Sequence, residues 1–290
     1  MSTRRLLLAA LAGLLVCGVG GAQAPAQPGW TGTLTCAVPV QDMKSAQSWY
    51  RDTLGFKAAA TASEKWAVLE TPLPALRLAL FPAPKDARGG GAWLTFGVKD
   101  LAAARKKLES KQVKFVGNTV TVAGMVKLAT FEDPDGNKFK LFQLLQPGAE
   151  RIPGVGALDY TRSVVASHAV KSLKAAVAWY GENLGFRFFF NLPTMKFCEL
   201  HTPVRGVAFG LQETERPAVG GGPVLLWGVK DLKTARSLLQ SRKIKPAEGT
   251  APLPDGQPGV TFLDPDGNRM LFTNDPPVGK GTKTKEKTDG

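Results

Sequence analysis

Only three cysteines and two histidines occur in the 290 residues. A fold built on disulfides is therefore excluded, and a His-rich metal centre would consume nearly every imidazole in the chain. The longest apolar run, Leu6 to Val19, falls short of the ~20 residues that a permanent membrane-spanning helix needs. Acidic residues are the scarcer charge, 24 against 37 Lys plus Arg, and the net +13 favours anionic surroundings without naming a partner. No Gly-rich loop joins a strand to a helix in phosphate-binding form, and no nucleophile elbow or Cys/His pair stands out. The basic residues are scattered rather than interleaved with aromatics, so nothing supports nucleic-acid binding.

What is present begins with Arg4-Arg5, the apolar run, and small residues through Ala22-Gln23-Ala24-Pro25-Ala26. This order is that of a secretory signal peptide over residues 1–26, and it predicts an exported protein, periplasmic or secreted. Cys17 follows Leu14-Leu15-Val16, a loose lipobox, but Val16 stands where that motif normally holds a small residue, which disfavours a lipid anchor. Residues 276–290 carry Lys280, Lys283, Lys285 and Lys287 with no large apolar residue after Val278, the composition of a disordered basic tail.

Between these ends the chain contains itself twice. Trp49-Tyr50 with Leu54-Gly55-Phe56 returns as Trp179-Tyr180 with Leu184-Gly185-Phe186. Leu94 to Lys111 matches Leu225 to Arg242 at ten of 18 positions, and Asp133-Pro134-Asp135-Gly136-Asn137 returns as Asp264-Pro265-Asp266-Gly267-Asn268. Collinear matches of this kind mark a tandem duplication, with copies over residues 31–146 and 157–275 and a linker over 147–156.

Within one copy the apolar period alternates between two and about 3.6. Leu34, Cys36, Val38 and Val40 alternate as a half-buried strand. Asp42 then caps a helix carrying Met43, Ala46, Tyr50 and Leu54 on one face, and Gly55 stops it. Strands follow at Trp66 to Glu70 and Leu76 to Phe81. A second round runs from Trp93 to Val98, through a helix capped by Asp100, to strands near Lys127 to Phe131 and Lys138 to Leu144. The Asp-Pro-Asp-Gly-Asn turn reads as a tight hairpin, and Gly89 to Gly91 and Gly220 to Gly222 read as slack linkers between rounds.

Trp49-Tyr50-x-x-x-Leu54-Gly55-Phe56, Val98-Lys99-Asp100-Leu101 and the Asp-Pro-Asp-Gly-Asn turn, in this order and twice, resemble the vicinal oxygen chelate superfamily of glyoxalases, bleomycin resistance proteins and extradiol dioxygenases. The resemblance implies an α+β fold of two tandem domains, each a pair of βαβββ units with curled mixed sheets around a cavity. It also implies a divalent metal held by His, Gln or Glu in the members that do chemistry. In this chain the corresponding places hold Thr35, Trp93 and Lys140 in the first copy and Val165, Val224 and Leu271 in the second. None is an ordinary metal ligand, and Lys140 puts a cation where a cation would sit. The expectation is a module without metal or other cofactor that binds a small, anionic or aromatic molecule. Its candidate contacts are Thr35, Trp93 and Lys140 in the first copy and Ser167 in the second, and the copies pair within the chain or the chain forms a homodimer. The rival is a lyase, isomerase or dioxygenase that uses unrecognised ligands or a metal-free mechanism through Lys140. His168 alternates onto the helix-facing side of its strand, His201 reads as a strand exit, and Cys36 and Cys198 read as small buried side chains rather than a disulfide.

Overall fold

The computed structural model describes residues 26–83, 90–244 and 258–274. The signal-peptide reading, apart from Ala26, and the basic-tail reading fall outside these residues. No described helix is long and apolar enough to cross a membrane.

The first copy runs β1 (Trp30–Val40), α1 (Met43–Trp49, continued by a π-type turn over Tyr50–Leu54), β2 (Lys57–Ala62), β3 (Ala67–Glu70) and β4 (Leu76–Pro82). It continues with β5 (Trp93–Val98), α2 (Leu101–Glu109), β6 (Lys114–Val122), β7 (Val126–Glu132) and β8 (Lys138–Leu144). The second copy repeats this as β9 (Tyr160–Val170), α3 (Leu173–Leu184), β10 (Arg187–Leu192), β11 (Phe197–His201) and β12 (Val207–Glu213). It ends with β13 (Val224–Val229), α4 (Leu232–Ser241), β14 (Gly259–Leu263) and β15 (Arg269–Thr273). The helices start where capping side chains allow: Asp42 accepts from the Ser45 amide at 2.6 Å, Asp100 from Ala103 at 3.0 Å and Asp231 from Thr234 at 3.0 Å. Gly55, at φ 75°, and Gly185, at φ 70°, occupy the left-handed position that ends α1 and α3.

The units pair across copies. Sheet 1 has the order β14-β15-β13-β1-β4-β3-β2, and sheet 2 the order β10-β11-β12-β9-β5-β8-β7-β6. Each sheet thus joins the first unit of one copy to the second unit of the other. Its seam is antiparallel, β1 against β13 with Cys36 opposite Leu225, and β5 against β9 with Thr95 opposite Val165. The alternating residues Leu34, Cys36, Val38 and Val40, with Leu94, Phe96, Leu225 and Trp227, bury themselves in the main core under the helices.

The Gly-rich segments are not slack in the part described. Each passes from one sheet to the other, and they meet backbone to backbone. Ala92 donates to the Pro223 carbonyl at 2.8 Å, and Gly91 donates to that of Ala218 at 3.2 Å. Gly90 and Gly91 have φ of 82° and 73°, and a Cβ on Gly222 would lie 1.9 Å from the Gly90 carbonyl oxygen. Only glycine permits both the conformation and the approach.

The Asp-Pro-Asp-Gly-Asn turn does more than reverse the chain. The Tyr50 hydroxyl donates to Asp133 Oδ2 at 2.6 Å, and Asn137 Nδ2 donates to the same oxygen at 2.8 Å and to the Pro39 carbonyl at 2.9 Å. The second copy repeats the clasp, with Tyr180 to Asp264 at 2.7 Å and Asn268 to the Ala169 carbonyl at 2.8 Å. The two units of one copy, which belong to different sheets, are bolted together in this way. Burial pushes the Asp133 carboxyl up and Tyr50 well above its usual range. Tyr50→Phe deprives a buried acceptor of one donor and should cost about 1 to 3 kcal/mol in urea unfolding. Tyr180→Phe should cost a similar amount. A loss below a few tenths of a kcal/mol in both variants would show that the clasp carries no stability.

Candidate functional site

Alternation assigns each sheet one face against the helices and one face free of them. On the helix-free face of sheet 1, Ala37, Trp66, Ala79, Leu226 and Leu271 form a separate buried apolar cluster, with Val68, Phe81 and Val224 against it. Thr35 lies on this face, 5% exposed, opposite Leu226 and beside Arg77. It does not join Trp93 and Lys140, because those residues belong to sheet 2.

The helix-free face of sheet 2 is different. One row across it runs Glu199 (β11), Gly210 (β12), Ser167 (β9) and Trp93 (β5), each opposite the next. The adjacent row runs His201, Ala208, Val165, Thr95, Lys140 and Thr130. Lys140 Nζ lies 5.1 Å from the centroid of the Trp93 ring, within cation–π range. Trp93, Lys140 and Ser167 are therefore neighbours, although they come from both copies. Ser167 is 1% exposed, and among the described residues its Oγ has no hydrogen-bond partner. The hydroxyl stands over Gly210, where a Cβ would lie 2.4 Å from it. Burial and the nearby Lys138 charge lower the Lys140 pKa, and among the described residues no carboxylate pairs with it.

Glu199 is the residue that sequence reasoning missed. Its neighbours Cys198 and Leu200 are buried in the main core, which turns Glu199 to the opposite face. Burial pushes its carboxyl from the ordinary 4.5 up to about 7, and no hydrogen bond or ion pair offsets that cost among the described residues. The signal was present as a carboxylate flanked by two apolar residues in a short strand, but alternation alone could not tell whether that face met water.

The remaining candidates are structural. His168 lies on the helix side, 1% exposed, with Nδ1 3.0 Å from the Tyr180 hydroxyl, and burial drives its pKa down to about 3. It extends the second clasp as a neutral ring. His201 ends β11 exposed, its ring 4.3 Å from that of Phe189. Cys36 and Cys198 are free and buried, on different sheets.

A divalent ion of the kind the resemblance implies needs at least three converging donors. Regrouped by sheet, the corresponding positions are Thr35, Val224 and Leu271 on sheet 1 and Val165, Trp93 and Lys140 on sheet 2. They offer one hydroxyl and one ammonium. Among the described residues no group of three or more His, Cys, Asp or Glu side chains is placed to hold a metal. This donor set does not fit such an ion.

The model of the Glyoxalase/Bleomycin resistance protein/Dioxygenase superfamily matches the chain twice, over residues 32–141 and 163–272. The chain belongs to that superfamily. A glyoxalase I structure from Zea mays, the V278E mutant, is 16% identical to this member, with 84% of this chain and 94% of that chain covered and a TM-score of 0.59. A candidate dioxygenase from Bacillus subtilis is 14% identical, with 87% of each chain covered and a TM-score of 0.62. At such identity these superfamily relatives share the fold alone. No curated protein sequence matches the chain.

The buried Glu199 carboxyl makes stability depend on pH. Its folded pKa lies above the unfolded one, so its contribution is fully present below pH 4.5 and is lost as pH rises to about 7. Between these limits Glu199 should cost up to about 3 kcal/mol. Glu199→Gln should therefore gain on the wild type over that interval in urea titrations. Parallel stability curves for the two proteins would mean that the carboxyl is solvated.

Proposed function

We propose that this protein is an exported binding member of its superfamily that takes up a small, flat anion without a divalent metal. The helix-free face of sheet 2 is the binding surface. The observation that carries the proposal is the Lys140 ammonium held over Trp93 with no described acidic partner, next to the unpartnered hydroxyl of Ser167. A half-buried cation without a counter-ion attracts an anion, and a carboxylate there would gain a charge-assisted hydrogen bond in a low-dielectric setting. Trp93 offers an aromatic surface to the rest of the ligand. The N-terminal charged, apolar and small-residue order supports export. On this reading sheet 1, apolar at every position corresponding to a ligand except Thr35, supports the structure and leaves binding to sheet 2.

Two measurements test the reading. Elemental analysis after incubation with Ni, Zn, Mn and Fe should find substoichiometric metal, and one ion per chain would contradict the proposal. Calorimetric titration with benzoate should show binding that Lys140→Glu weakens by roughly ten- to a hundredfold, the equivalent of losing one charged hydrogen bond of about 1.5 to 3 kcal/mol. Unchanged affinity would remove Lys140 from the site.

A further inference from the structure

The part of sheet 2 that carries Lys140 is graded from charged to apolar along its strands. Ala129, Phe131, Phe139 and Leu141 point into the main core, which turns their neighbours in β7 and β8 to the helix-free face. Across β8, β7 and β6 that face has four rows: Lys138, Glu132 and Lys114; Lys140, Thr130 and Val116; Phe142, Leu128 and Val120; Leu144, Val126 and Val122. The first row is charged throughout, with Glu132 paired to Lys114 at 3.3 Å. The third and fourth hold no polar side chain. We infer that the ligand is an amphiphile: its anionic end lies at Lys140, and an apolar chain runs from there over Phe142, Leu128 and the neighbouring valines. This rests on the anion-binding reading above and specifies the class of ligand further.

The apolar rows are open to a ligand. Val116 is 43% exposed, Val120 51% and Leu144 38%. Single exposed valines need no explanation, but these are neighbours on one face of three strands, and a contiguous apolar strip marks a surface that something covers. The Phe142 ring extends the strip toward β5, lying over Gly97, where a Cβ would come within 2.9 Å of its Cζ. At the far end Phe142 and Leu144 share a shallow recess with Ala149 and Ile152 of the linker. From the Lys140 row to the last row is four residues, roughly 13 Å along the strand. That is room for a chain of several methylenes.

The gradient sets the direction and the kind of occupant. A chain running the other way would strip water from Lys138, Glu132 and Lys114. A purely apolar partner on the strip would leave the Lys140 ammonium beside it without a counter-charge, so the occupant carries one. A plain aromatic anion satisfies Lys140 and leaves the strip wet, whereas each methylene that is fully buried there adds about fourfold in affinity.

Calorimetry with benzoate and its 4-methyl, 4-propyl and 4-hexyl derivatives tests this. On a half-exposed strip affinity should rise about twofold per added methylene, and Lys140→Glu should weaken every member of the series. The double variant Val116→Thr/Val120→Thr keeps both β-branched shapes at exposed positions and should flatten the rise. No rise in the wild type, or a rise that the double variant leaves intact, would overturn the amphiphile inference and leave the anion site standing. A wild-type dimer in sedimentation equilibrium that the double variant splits would assign the strip to a second copy of the chain and overturn the inference likewise. Failure of all four carboxylates to bind, or indifference of all four to Lys140→Glu, would overturn the anion site and the inference with it.

Discussion

Edge pairing between copies, β1 with β13 and β5 with β9, decides which side chains can meet in this protein. Each βαβββ unit buries one face of its strands under a helix, yet leaves an inner edge of unpaired amides and carbonyls that must find a partner. That partner comes from the other copy. Side chains therefore group by sheet and not by repeat, and Trp93 and Lys140 of the first copy share a face with Ser167 and Glu199 of the second. A single copy would contain half of each surface.

Two further devices hold this arrangement. The Tyr-Asp-Asn clasps tie units of the same copy behind the sheets, and the glycine crossing near Gly90 and Gly222 lets both connections pass through one narrow place. The two copies differ on their helix-free faces while sharing these joints. Tyr50 and Tyr180 play one part in two places. Ala37 and Ser167, which hold matching positions in β1 and β9, do not: one joins an apolar cluster and the other presents an unsatisfied hydroxyl.

Much of the architecture was legible in the sequence, because repeats, helix caps and the Asp-Pro-Asp-Gly-Asn turn are local signals. The partner of β1 was not. Leu94-Thr95-Phe96-Gly97-Val98 and Leu225-Leu226-Trp227-Gly228-Val229 are nearly equivalent edges, so pattern alone cannot choose between pairing within a copy and pairing across copies. The edge strands β2, β6 and β10 also escaped notice. Lys57–Ala62 is alanine-rich, Lys114–Val122 is largely exposed, and Arg187–Leu192 runs three phenylalanines together, so none shows clean alternation. Glu199 was hidden for a related reason: its importance depends on what covers its face, and that is a property of the assembled sheet.

The central claim is that the helix-free face of sheet 2 holds its ligand through Lys140 and neighbouring side chains, without a coordinated ion. The most direct measurement is a crystal structure of the protein grown with benzoate and Mn²⁺, with anomalous data collected for manganese. The account predicts the carboxylate against Lys140 Nζ and no anomalous peak on the helix-free face of either sheet. A manganese ion bound there by protein side chains, or the probe seated elsewhere, would contradict it.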